Sequence, residues 1–409
     1  MLPRRRFHPD DHLSIGIKLN HSHGLSCGDL IFIGGQADIT GSAEVTRPND
    51  LAAQTDIAMD GVLTVLDGLG ADAADLVKLT AFYVLTDEDN EALILKHMAA
   101  RLGDLPGPGP AVTLVPIETN CFDGLSIEIE GIAMRGQNGE RLPRSASWIP
   151  DGAVLPRPLS QAVRCGRMIF TSAQTAENAD GSISEQGSLL RQGDIVIGKL
   201  RRLLEGLGAD LNDAVKANVF NVEPGEQEDW KEAALSRASH YREPGPAATG
   251  ISLPRLHREG LKLRKDVIAM REMDGSRLPR QAVWPTGHWD WPVHLPYRHG
   301  LKVGDLVFIG GQVSLDTAGG VIHPGEIEAQ TRIAMDNISY VLAEFGLAFE
   351  HVVKINTFYA GSKGQHDLLA NASVRAGYYK HPGPASTGIP FPYLAYRDML
   401  IEIDCVAMV

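Results

Sequence analysis

Short apolar runs and helical stripes follow one another along this chain in a fixed order. Ile31-Phe-Ile-Gly-Gly-Gln36 is apolar, bounded by Gly28-Asp29 and by a turn, and predicts a strand. From Leu51 to Leu69 the residues Ile57, Met59, Val62, Leu66 and Leu69 recur at helical spacing, and Gly70 stands where a helix C-terminus favours glycine. Val77–Val84 reads as a strand and Glu91–Leu102 as a second helix, which the Pro108-Gly-Pro loop interrupts. Ile127-Glu-Ile-Glu-Gly-Ile-Ala-Met134 alternates strictly in its first half and predicts a closing strand. The order β-β-α-β-α-β predicts an α+β sandwich, two helices covering one face of a sheet.

The same order is written three times in 409 residues. Gln36, Gln174 and Gln312 are spaced by a constant 138 residues, as are Gln54, Gln192 and Gln330, and Gly70, Gly208 and Gly346. Val77-Lys78 returns as Val215-Lys216 and Val353-Lys354. The second helix is matched by Glu228–Tyr241 and His366–Tyr379, and Pro108-Gly-Pro-Ala111, two residues out of step, by Pro244-Gly-Pro-Ala247 and Pro382-Gly-Pro-Ala385. Each unit opens on Leu-Pro-Arg, at Leu2, Leu142 and Leu278. Boundaries fall in Gly-rich turns, giving units 1–138, 139–275 and 276–409. So long a period means tandem domains, because solenoid repeats are far shorter.

Charge narrows the partners. Thirty-eight basic residues against 51 acidic leave a net charge of −13, which argues against a nucleic-acid groove and against anionic membranes. No apolar run approaches the ~20 residues of a membrane span, and the basic start at Arg4-Arg-Arg6 runs into Asp10-Asp11 without an apolar signal segment. A soluble cytoplasmic protein is expected. Cys27, Cys121, Cys165 and Cys405 form no C-x-x-C pair; Cys27 and Cys165 match each other and Val303, as buried apolar positions would. The phosphate-cradling glycine motifs are absent, so no cofactor is implied. His8, His12, His21 and His23 crowd the start of one unit, and His288, His294 and His299 that of another, without a recurring metal-ligand triad; no metal is expected.

Pro158-Leu-Ser-Gln-Ala-Val-Arg-Cys-Gly-Arg-Met-Ile-Phe-Thr-Ser-Ala-Gln174, the closing Ile-Glu-Ile-Glu-Gly-Ile-Ala and Ile401-Glu-Ile-Asp-Cys-Val-Ala407 resemble the RidA/YjgF family of enamine/imine deaminases, over nearly the whole chain. The resemblance implies three chorismate-mutase-like domains. Such domains normally form homotrimers with ligand clefts between neighbours, so one chain would make an intramolecular pseudo-trimer that leaves further association open. Linking raises the effective concentration at which the domains meet.

Family members acting on 2-iminoacids hold the substrate carboxylate with an arginine in the late loop, whose planar fork matches two oxygens. Here that place reads Val112, Ala248 and Ser386, or, shifted by one, Thr113, Thr249 and Thr387. The substrate is therefore expected to lack the α-carboxylate. The family's glutamate on the closing strand, proposed to orient water, maps to Glu128, Arg264 and Glu402. Its cleft-closing tyrosine survives as Tyr297, against His21 and Leu159. Ser172 occupies the family's first-strand serine position, where Gly34 and Gly310 stand in the other units, and His23 matches His299.

These residues support a small-molecule deaminase or hydrolase acting on a C–N bond. Glu402 or Glu128 would position or deprotonate water, Tyr297 and His299 would close the cleft, and Ser172, Thr249, Ser386, Thr387, His23 and Arg264 would contact the ligand. Thr387 in particular would hold a polar oxygen beside Glu402. The alternative is a non-catalytic metabolite-binding or regulatory protein, which divergence among the three clefts favours. Ribonuclease activity, associated with some family members, fits the acidic charge worst.

Overall fold

The computed structural model describes every residue except 1, 10, 11, 18, 224–230, 232, 233, 236, 237, 292, 362 and 363. The first unit comprises β1 (Arg4–Phe7), β2 (Gly24–Cys27), β3 (Leu30–Ala37), α1 (Leu51–Gly68), β4 (Leu76–Val84), α2 (Asn90–Leu102), β5 (Ala111–Ile117) and β6 (Ile127–Met134). The second follows with β7 (Arg144–Ser147), β8 (Ala162–Cys165), β9 (Met168–Thr171), α3 (Leu189–Glu205), β10 (Ala214–Val222), β11 (Ala247–Leu253) and β12 (Leu263–Met270). The third has β13 (Arg280–Val283), β14 (Gly300–Val303), β15 (Leu306–Val313), α4 (Ile327–Glu344), β16 (Val352–Ala360), α5 (Gln365–Ala376), β17 (Ala385–Phe391) and β18 (Ile401–Met408). The helix expected over 228–241 lies largely outside the described residues.

Each unit builds one six-stranded sheet, ordered β1-β2-β3-β6-β4-β5 in the first. Only β4 and β5, and their counterparts, pair in parallel. This corrects the predicted order: the segment after Pro-Gly-Pro, expected as a loop, is an edge strand in all three units. Ala111–Ile117 is buried along its whole length, Thr113 included, because one face meets its own domain and the other a neighbour, so no alternation betrayed it.

The repeated residues have local reasons. α1 starts at Asp50, whose carboxylate accepts from Ala53 N (3.0 Å), and buries Ala58, Met59, Val62, Val65 and Leu66 on the sheet. It ends before Gly70 at φ +78°, the left-handed conformation that Gly208 and Gly346 repeat. Fully buried Gln54 donates to Arg47 O and Gly124 O (both 2.7 Å) and accepts from Ser126 N (2.7 Å), pinning the entry to the closing strand. Gln192 and Gln330 make the equivalent bonds to Gly260 and Lys262, and to Asp398 and Leu400.

The sheets meet around a shared apolar centre. Leu25, Val163 and Leu301, Val77, Val215 and Val353, and Ala111, Ala247 and Ala385 belong to one buried cluster, three equivalent positions at a time. The chain is thus a pseudo-trimer in which each late strand faces the next unit, and the third closes back on the first through Ser22 N→Pro384 O (2.9 Å). Every seam also carries a buried polar triad. Lys78 Nζ donates to Thr113 Oγ1 (2.7 Å) and Asp266 Oδ2 (3.1 Å), and Thr113 Oγ1 donates to the same oxygen. Lys216, Thr249 and Asp404 repeat the arrangement, as do Lys354, Thr387 and Glu130. In each case lysine and threonine come from one unit and the acid from the next, which ties the register of one domain to its neighbour.

Candidate functional site

Three clefts lie beside these triads. The first, between the second and third units, is lined by Ala248, Thr249 and Gly250 on one side and by Trp284, Trp289, Trp291, Tyr297, His299 and Glu402 on the other, around a cavity of about 60 Å³. The second, between the third and first, holds His21, His23, Cys121, Glu128, Arg375 and Ser386 around a cavity of similar volume. The third, between the first and second, opens to about 730 Å³ and holds Glu91, Ser172, Glu177, His257, Arg258 and Arg264. They are called below the tryptophan, histidine and arginine clefts.

In the tryptophan and histidine clefts the predicted glutamates occupy the same environment. Glu402 and Glu128 are deeply placed in strands β18 and β6, and each accepts a hydrogen bond from a backbone N–H of the neighbouring unit, Gly250 and Gly388. Burial, then the adjacent Asp404 or Glu130 carboxylate, pushes each up to about 8, with Lys216 or Lys354 offsetting part of it. The carboxyls lie against Gly311 and Gly35, where a Cβ would come within 1.8 and 1.7 Å of an Oε1 atom. In the second unit, where arginine replaces glutamate, that glycine is Ala173.

Histidines flank both acids. His299 Nε2 donates to Trp289 O (3.1 Å) and its Nδ1 accepts from Gln312 Nε2 (3.1 Å), while His288 Nε2 donates to Gln312 Oε1 (2.8 Å). His12 Nε2 likewise donates to Gln36 Oε1 (2.6 Å), and the His12–His23 and His288–His299 ring pairs are both edge-on, 4.6 and 4.4 Å apart. Burial and neighbouring imidazoles push His23 and His299 down to about 3, so both are neutral at physiological pH. The correspondence of His12 with His288 was present as a 276-residue spacing but went unread. No group of three His, Cys, Asp or Glu among the described residues is placed to hold a metal ion, and all four cysteines are buried and unbridged.

The other predicted residues divide. Tyr297, His299, Thr249 and Glu402 come together in the tryptophan cleft. Thr387 does not join them: it faces the first unit, where its hydroxyl is committed to Glu130 and Lys354. Grouping Glu402 with Thr387 fails because the late strand serves the neighbouring cleft, and Thr249 holds the place beside Glu402. Ser172 is buried, donating to Ser160 O (2.7 Å) and accepting from Val112 N (2.7 Å), so its hydroxyl joins two domains. Arg264 is saturated by Glu91 (2.5 and 2.9 Å), His257 Nδ1 (2.9 Å) and Leu114 O. Despite the burial that opposes ionisation, Arg264 and His257 hold Glu91 below its usual range.

One residue was missed altogether. Arg375, on α5, is buried in the histidine cleft, with Nε donating to Asn371 Oδ1 (3.0 Å) and NH1 to Ser386 Oγ (3.3 Å). Ser386 stands where the family's loop arginine was sought, so a helix brings a guanidinium to the place the loop left empty. The helical position of Arg375 in sequence carried no such signal.

Three α+β units arranged head to tail, with ligand-sized clefts at the seams, define the class. The family model described as Endoribonuclease L-PSP matches residues 15–135, 154–270 and 291–409, and the chain belongs to that family in three tandem copies. Single-domain relatives agree: the chain is 31% identical over 112 residues to a RutC family protein of Pyrococcus abyssi, covering 85% of that protein and 27% of this chain. It is 27% identical over 124 residues to the RutC family protein YjgH of Escherichia coli, covering 92% of that protein and 30% of this chain. A crystal structure of a chorismatase superposes with a TM-score of 0.54 at 15% identity, covering 82% of this chain and 93% of that one, a likeness of fold. Among the described residues no helix is long and apolar enough to cross a membrane.

Proposed function

We propose that the protein hydrolyses the C=N bond of a small imine or enamine tautomer in the tryptophan and histidine clefts. The observation that carries this reading is a glutamate held near pKa 8 at a cavity in each, Glu402 buried and Glu128 partly so. Such a carboxyl is mostly protonated at pH 7 and exchanges its proton readily. It donates to the imine nitrogen, water adds to the carbon, and the resulting carboxylate takes a proton from that water. Collapse of the carbinolamine releases ammonia and leaves a carbonyl. Arg375 equips the histidine cleft for an anionic substrate; the tryptophan cleft, walled by Trp284, Trp289 and Trp291, suits an apolar one.

The arginine cleft fits the second reading, binding without catalysis, because Arg264 replaces the acid and is already neutralised by Glu91. An acidic chain of net charge −13 speaks against RNA as the substrate. The test is ammonia release from imines generated in situ, with and without a carboxylate. Glu128→Gln and Glu402→Gln should each remove one component of turnover, and together lower it about 10²- to 10⁴-fold. Wild-type rates in the double variant would refute the assignment.

A further inference from the structure

Three of the five tryptophans of the chain line one cavity. Trp289 packs edge-on against Trp291 (4.8 Å) and His299 (4.5 Å), and Trp284 against His299 (4.2 Å). Arg298, the one cation among the described residues of the lining, is paired with Glu243 (2.7 Å) and lies over the Trp284 ring. Opposite the indoles stand Ala248, Thr249 and Gly250, small residues whose polar groups are engaged: Thr249 with Asp404 and Lys216, the Gly250 N–H with Glu402. A slot with aromatic walls on one side and backbone on the other favours a flat ring by area and by ring stacking.

The histidine cleft has the same acid but different walls. There the places of Trp284, Trp289 and Tyr297 fall to His8, Leu13 and His21, and Arg375 is buried with no carboxylate ion-paired to it among the described residues. The two clefts therefore share machinery and differ in what they admit.

Resting on the proposed role of Glu402, we infer that the tryptophan cleft selects a planar aryl ligand bearing one hydrogen-bond acceptor, such as an aryl imine or amide, held between the indoles and Ala248–Gly250 with its acceptor on the Glu402 carboxyl. A saturated analogue of the same size forfeits the ring stacking.

The test uses the full-length protein and its tryptophan fluorescence, which this cleft dominates. Benzamide should quench saturably, with cyclohexanecarboxamide at least about tenfold weaker. Trp284→Leu or Trp291→Leu, with unchanged melting temperature, should weaken benzamide by a similar factor, whereas Arg375→Met should leave it unaltered. Equal affinity for benzamide and cyclohexanecarboxamide, no saturable quenching, or wild-type affinity in both tryptophan variants would overturn the inference. Because binding is read without turnover, benzamide selectivity in a protein that hydrolyses no imine would sink the catalytic reading and leave this one standing.

Discussion

The tryptophan and arginine clefts are built from the same strands, yet one buries an acid and the other an ion pair. In the tryptophan cleft Glu402 reaches the neighbour's Gly250 N–H and keeps its proton near neutrality. In the arginine cleft the residue at that strand position is Arg264, the neighbour presents Leu114 O instead of a glycine N–H, and Glu91 swings in from α2 to balance the charge. The glycine behind the acid becomes Ala173 and the histidine at the cleft mouth becomes Gln161, whose amide is spent on Ile149 and Ala153. Five changes thus move together. A buried ionisable group dictates its surroundings, because each replacement leaves another polar group needing a partner.

The largest effect that would break this contrast lies in the ion pair. Arg264→Met leaves Glu91 buried without its cation and should cost about 3–5 kcal/mol in chemical denaturation. Pairing it with Glu91→Met should recover most of that loss. A single substitution as mild as the double would mean that the arginine cleft is open to water and its charge unimportant.

Next comes the glycine. Gly311→Ala places a Cβ within 1.8 Å of the Glu402 carboxyl and must displace it. Turnover in the tryptophan cleft should fall about 10²-fold, the lower range for losing an acid–base group. Ala173→Gly, at the matching place, should leave activity intact and change stability by no more than ~1 kcal/mol. Comparable activity losses in the two variants would erase the distinction between clefts.

The smallest effect is in pH dependence. Glu128 and Glu402 titrate near 8 in the folded protein against an ordinary 4.5, so the folded state binds more protons between those values. Their contribution to stability is full below pH 4.5 and is lost as pH rises through 8. His23 and His299, lowered to about 3 from 6.5, act on the other side, with stability lost as pH falls from 6.5. Melting temperatures of Glu128→Gln/Glu402→Gln should decline less than wild type between pH 5 and 8. A wild-type slope would place both carboxyls in the ordinary range.

Sequence by itself determined the repeat, the first helix of each unit and the closing strands, because these follow from local periodicity and from spacing that survives three copies; the two glutamates were singled out through the family resemblance. It also carried the lysine of each seam triad, visible as Val-Lys at equal steps, though nothing local told that a strand lysine would meet an acid from another domain. Tertiary structure alone decided the rest. The strand after Pro-Gly-Pro packs between two domains and gave no clean alternation to read. Thr387 bonds Glu130 of the first unit and stands apart from Glu402 because each late strand faces the next unit. Arg375 enters its cleft from a helix, where only packing sets its direction. Clefts shared between domains are long-range objects, and a linear pattern records which side chains exist without recording which neighbour they will face.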